Sequence, residues 1–83
     1  MNWLADVRIT LKPSVNDPEG QSIRGGLRSL GFGDVDSVRS GKYIQVKLAA
    51  ADKAAAETAV DQMCAKLLAN PVIEQYSFSV AEA

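Results

Sequence analysis

Apolar and polar side chains alternate along the start of the chain, with Ala5, Val7, Ile9 and Leu11 on one side and Asp6, Arg8, Thr10 and Lys12 on the other. A period of two predicts a strand with one buried and one wetted face. Pro13 closes it. Asp17-Pro18-Glu19 then reads as a helix start, with a carboxylate cap, proline at the first helical position and a second acid in the first turn. Ile23, Leu27 and Leu30 share one face of that helix, and Gly31 is placed to take the left-handed conformation that stops it. Gly26 falls on the same inward face, where a close approach to a sheet would favour glycine, whereas Gly25 has no evident packing reason.

Two β runs, Val35 to Arg39 and Tyr43 to Leu48, flank Ser40-Gly41-Lys42, which predicts a tight hairpin. Asp52 caps a second helix in which Ala56, Ala59, Val60, Met63 and Leu67 recur at helical spacing. Pro71 ends it by disfavouring the helical conformation at Asn70. Tyr76, Phe78 and Val80 alternate with Gln75, Ser77 and Ser79 in a last strand. The order β-α-β-β-α-β predicts an α+β fold of ferredoxin-like type, a four-stranded antiparallel sheet with two helices on one face. The opposite sheet face would carry Arg8, Thr10, Lys12, Gln45, Lys47, Ser77 and Ser79, and the sheet edges would stay open to another subunit.

Size sharpens this picture. With 83 residues the chain forms a single domain, residues 1–83. A domain this small buries only about 60% of its unfolded surface, so it often needs a disulfide, a metal or a partner subunit. Cys64 is the one cysteine and there is no histidine. That excludes an internal disulfide and a Cys/His zinc site, and leaves oligomerisation. Nine basic and ten acidic side chains give a net charge of −1, with no basic cluster to attract nucleic acid. No stretch has the length and apolarity of a signal peptide or membrane span, so a cytoplasmic protein is expected.

Candidate chemistry is sparse. Asp17 and Glu19 would repel a phosphate from the helix start they cap. Cys64 lacks a histidine to activate it and reads as core packing. Asp34 and Asp36 bracket Val35 beside glycines and read as turn residues. No catalytic, cofactor-binding or metal-binding residue is expected. Arg39, Gly41, Lys42 and Tyr43 put interface-type side chains at one hairpin tip, although a soluble turn would use the same residues. Lys12 at the exit of the first strand is equally compatible with a plain strand end.

The blocks Lys12-Pro13, Asp17-Pro18-x-Gly20, Leu30-Gly31-Phe32, Val38-Arg39-x-Gly41-Lys42-Tyr43-Ile44 and Met63-Cys64-x-Lys66-Leu67-Leu68-Ala69-Asn70-Pro71-Val72-Ile73-Glu74-x-Tyr76 occur in this order over nearly the whole chain. In them the chain resembles the PurS family, the small accessory subunit of phosphoribosylformylglycinamidine synthase. Asn16, Glu19 and Gly25-Gly26 depart from the family's pattern without removing a motif. The resemblance implies a non-catalytic member of an ATP-dependent amidotransferase complex in purine biosynthesis. It would bridge a glutaminase subunit and a synthetase subunit and help ammonia reach formylglycinamide ribonucleotide. ATP and Mg would be used by the synthetase, and no cofactor would be bound by this chain. A homodimer or dimer of dimers is implied, with Lys12, Arg39, Lys42, Tyr43, Asn70, Glu74 and Tyr76 as partner-interface residues.

Two other readings fit the expected topology. A ferredoxin-like regulatory module would bind a small molecule at a subunit junction. An acylphosphatase-like enzyme would need an arginine in the loop after the first strand, and none precedes Arg24 there except Arg8 within the strand itself.

Overall fold

The computed structural model describes residues 1–83. Three strands, β1 (Asn2–Leu11), β2 (Gly41–Ala49) and β3 (Glu74–Glu82), form a sheet in the order β2-β1-β3, with β1 antiparallel to both neighbours. Two helices, α1 (Pro18–Ser29) and α2 (Lys53–Met63), occupy the connections, and α2 runs into a π-helical turn at Cys64–Leu68. No helix is long and apolar enough to cross a membrane.

The alternation fixes which face is buried. Trp3, Ala5, Val7 and Ile9 all point to one side of β1 and are buried. In register with Trp3, Ala5 and Val7 are Leu48, Val46 and Ile44 of β2, and Val80 and Phe78 of β3 continue the same face. Helix α2 lies on that face over β3 and β1, with Ala56, Val60 and Cys64 wholly buried beneath it. Its start is fixed by Asp52, whose carboxylate accepts the Ala55 N–H at 2.8 Å. The core thus contains nine buried side chains, all but one of them on β1, β3, α2 or the π turn.

Three expectations are corrected. The sheet has three strands, not four, because Val35 to Arg39 is irregular. Its two apolar residues, Val35 and Val38, have opposite parity and cannot share a sheet face. Two of its carbonyls are also taken by side chains: Arg24 Nε donates to Asp36 O at 2.7 Å and Arg28 Nη1 to Val35 O at 3.0 Å. Consequently Ser40-Gly41-Lys42 is no hairpin, and Gly41 opens β2 opposite Thr10.

The second correction concerns the helices. Only α2 covers the sheet; α1 stands off it, carried on an arm formed by residues 12–40. The chain measures 50 × 26 × 14 Å with a radius of gyration of 16.2 Å, where a compact chain of this length would have about 12 Å. The arm nevertheless keeps its anticipated ends, with Pro18 at the helix start and Gly31 at φ 103° after its last turn.

The third is Leu67, which is 83% exposed instead of completing the stripe of α2. Within the π turn the Ala69 N–H bonds to Cys64 O at 3.0 Å, five residues back. The wider turn rotates the residues at its end, so Ala69 enters the core and Leu67 faces out. Leu67→Ala is therefore expected to leave the thermal unfolding of the chain within about 0.5 kcal/mol of the parent. A loss of several degrees in melting temperature would show that this side chain is covered.

Candidate functional site

The root of the arm is the most heavily hydrogen-bonded polar region of the molecule. Asp17, only 3% exposed, caps α1 by accepting the Gly20 N–H at 2.9 Å, and it reaches across the arm to accept the Ser40 N–H at 2.7 Å and the Ser40 hydroxyl at 3.0 Å. The backbone N–H groups of Gly20 and then Ser40 hold its carboxyl below the usual carboxylate range. Arg39 Nη2 donates to Lys12 O at 3.0 Å and to Val15 O at 2.8 Å. Gly20 is required here, since a Cβ would overlap the Val38 carbonyl oxygen. These contacts lace the outgoing and returning limbs of the arm together.

Beside the root, on the helix-bearing face, Lys42 of β2 and Glu74 of β3 reach across β1 to an ion pair of 3.6 Å. Glu74 also accepts the Asn70 N–H at 2.7 Å, and its own N–H donates to Asn70 O at 2.7 Å. Asn70 Oδ1 accepts the Val72 N–H at 3.0 Å, while the Lys12 N–H donates to Ile73 O at 2.8 Å. Between arm root and ion pair lies a cleft of about 380 Å³ whose polar walls include Asp17, Glu19, Ser40, Lys42 and Glu74.

Five of the seven sequence-predicted interface residues, Lys12, Arg39, Lys42, Asn70 and Glu74, thus gather at one end of the sheet. The other two are adjacent in register, but their side chains are engaged elsewhere. Tyr43 is on the opposite, polar face, where its hydroxyl donates to Asp6 at 2.7 Å and Gln45 Nε2 donates to both, at 3.1 Å to Asp6 and 3.0 Å to Tyr43. The Tyr43 hydroxyl lowers the Asp6 pKa and has its own raised by the same bond. Tyr76 ties β3 to α2 through a 2.7 Å bond to Asp61, which raises its pKa, and it stacks on Phe78 with ring centres 6.5 Å apart.

Sequence reasoning recognised Asp17 only as a helix cap. Its pairing with Ser40, across the arm, has no local signature. Chemically, the cleft offers the Asp17 and Glu74 carboxylates, already engaged by N–H groups and by Lys42, and no three His, Cys, Asp or Glu side chains converge in a metal-binding arrangement. Cys64 lies in the core, where burial pushes its thiol up and away from the reactive thiolate. What the arrangement can do is hold shape: it fixes the arm against the end of the sheet.

Fold and site therefore define a small α+β protein with an open three-stranded sheet and a projecting helical arm. Comparison with known proteins resolves the class. The model of the PurS family, described as phosphoribosylformylglycinamidine (FGAM) synthase, matches residues 4–82. The phosphoribosylformylglycinamidine synthase subunit PurS of a Synechocystis species is 49% identical over 74 residues, 89% of this chain and 74% of that protein. The structure of Thermus thermophilus PurS superposes with a TM-score of 0.90 at 36% identity, covering 100% of this chain and 99% of that one. A chain in the structure of PurLQS from Thermotoga maritima matches with a TM-score of 0.89 at 30% identity, covering 98% of this chain and 99% of that one. The chain belongs to the PurS family, and it is a subunit of FGAM synthase in purine biosynthesis.

Proposed function

We propose that this chain is the non-catalytic bridge of the synthase, cytoplasmic and homo-oligomeric as a dimer or a dimer of dimers. It docks the glutaminase and the ATP-dependent synthetase and keeps ammonia from escaping between them. The observation that carries this reading is the architecture: a sheet covered on one face by a single helix, with an arm that leaves Ile23, Leu30 and Phe32 exposed. A surface of this kind is completed by other chains. The resolution of a close structural relative within PurLQS supports an assembled state.

The physical need is clear. Ammonia released into water near neutral pH is protonated and loses its nucleophilic lone pair, so a water-excluding junction preserves the reactive form. The end of the sheet holding Lys12, Arg39, Lys42, Asn70 and Glu74 is the proposed contact surface, with Tyr43 and Tyr76 as further contacts. ATP and Mg act at the synthetase.

The test compares product formation by the glutaminase and synthetase with and without this chain, using glutamine or free ammonia as nitrogen source. Glutamine-dependent synthesis is expected to require the chain, and ammonia-dependent synthesis to proceed without it. Equal rates in its absence from either source would overturn the bridging role.

A further inference from the structure

We propose that the polar face of the sheet, at the end nearest the arm root, carries a binding site for a terminal phosphoryl group, held by Arg8 and Arg39 together with Thr10, Gln75 and Ser77. Apart from Arg39, none of these residues belongs to the contact surface proposed above.

The strand register builds the floor of this site. On the polar face Thr10 of β1 stands opposite Gln75 of β3, and Arg8 stands opposite Ser77. Neighbouring strands lie about 4.8 Å apart and alternate residues of one strand about 7 Å apart, so the four side chains rise from the corners of a rectangle roughly 5 by 7 Å. Gln75 Nε2 donates to Thr10 Oγ1 at 3.4 Å. That bond uses a lone pair of the Thr10 hydroxyl and leaves its proton, like the second N–H of the amide, free to donate to a ligand. On β2 the residue opposite Thr10 is Gly41, which has no side chain to cover it, and a Cβ there would crowd Thr10 Cγ2 and the Ile9 carbonyl oxygen.

Two hollows meet over this floor. One, of about 250 Å³, runs from Thr10 and Gln75 to Arg39. The other, of about 300 Å³, runs from the same two residues to Arg8 and Ser77. The two arginines thus stand at opposite ends of one depression, with a hydroxyl and an amide between them. Arg39 is already held in place, because its Nη2 donates to Lys12 O and Val15 O. Its Nε and Nη1 stay available as donors.

Charge selects an anion. The chain's one ion pair joins Lys42 to Glu74, so neither arginine has a carboxylate partner. The carboxylates near the arm root, Asp17, Glu19 and Glu74, line the cleft on the other face. On the polar face the strands carry only Asp6, which is occupied by hydrogen bonds from Tyr43 and Gln45. A phosphoryl dianion answers this donor set: it offers three terminal oxygens in different directions and suits the planar fork of a guanidinium at either end. A carboxylate, with two oxygens in one plane, would satisfy one arginine and leave the other unpaired.

The test titrates the full chain, isotopically labelled, with inorganic phosphate and separately with ribose 5-phosphate at constant ionic strength, following backbone amides and arginine Nε–H groups by NMR. Saturable shifts at Thr10, Gln75, Ser77 and the Nε–H groups of Arg8 and Arg39 are expected with at least one of the two. Tighter binding of the sugar phosphate would identify a phosphate ester as the occupant, and otherwise the occupant is free phosphate; both support the site. Arg8→Gln should weaken binding at least 10-fold, the effect of one charge-assisted hydrogen bond. Thr10→Val should weaken it by a smaller factor, and in both variants the amides of the helix-bearing face should keep their parent shifts. Sodium acetate at the same ionic strength is expected to leave the site's resonances in place. Equal shifts with acetate would overturn the phosphoryl assignment in favour of an acidic segment of a partner protein. Shifts that are absent, do not saturate, or survive Arg8→Gln unchanged would overturn the site.

Discussion

Ile9→Ala is expected to destabilise the chain by about 2–5 kcal/mol, the range for truncating a fully buried isoleucine. Ile9 is 1% exposed and sits on the central strand, in register with Lys42 on one side and Tyr76 on the other. No neighbouring strand can collapse into the space without giving up its own pairing. A chain of 83 residues has roughly 4–12 kcal/mol to lose at the usual stability per residue. The substitution thus removes a large share, and a urea unfolding midpoint at fixed protein concentration should fall accordingly. Fixed concentration matters because any oligomer adds stability by mass action. An unmoved midpoint would mean that the buried row of β1 does not form the core.

Acid is expected to open the arm before it melts the sheet. In the folded chain the Asp17 carboxyl titrates below its ordinary value, held there by N–H groups of Gly20 and Ser40. Its contribution to stability is therefore complete above the ordinary carboxylate pKa near 4, and it is lost as pH falls through the depressed folded value. Asp17→Asn keeps an acceptor for the cap but removes the charge. The substitution should lower the melting temperature at pH 7, and the gap from the parent should close as pH falls towards 3. Parallel melting curves over that range would show that the charge on Asp17 contributes nothing.

Much of the fold was legible because the strands obey a period of two with few exceptions, and because Asp17-Pro18, Gly31, Asp52 and Pro71 mark ends by local chemistry. What failed depended on distant or non-repeating geometry. Val35 and Val38 looked like strand residues until parity is considered, and the carbonyls between them are claimed by arginines a helix away. Leu67 continued a helical repeat that a single π turn interrupts. The stripe of Ile23, Leu27 and Leu30 was read as an inward face, yet Ile23 and Leu30 are exposed because α1 stands off the sheet. At the site, residue types were legible and their grouping was not. Lys42 and Glu74 meet only because β2 and β3 flank β1, and Asp17 reaches Ser40 only because the arm returns to its origin.

The central position of β1 has a kinetic consequence. Its nearest pairing with β2 joins Thr10 to Gly41, and its nearest pairing with β3 joins Leu11 to Glu74. No two strands are linked by a short turn, so no hairpin can nucleate the sheet, and every ladder waits for the closure of a long loop. Topologies of this kind fold in milliseconds to seconds, not microseconds. The bond from Ser40 to Asp17 draws the two ends of the first loop together, which makes the closing of the arm the step that sets β1 and β2 in reach of each other.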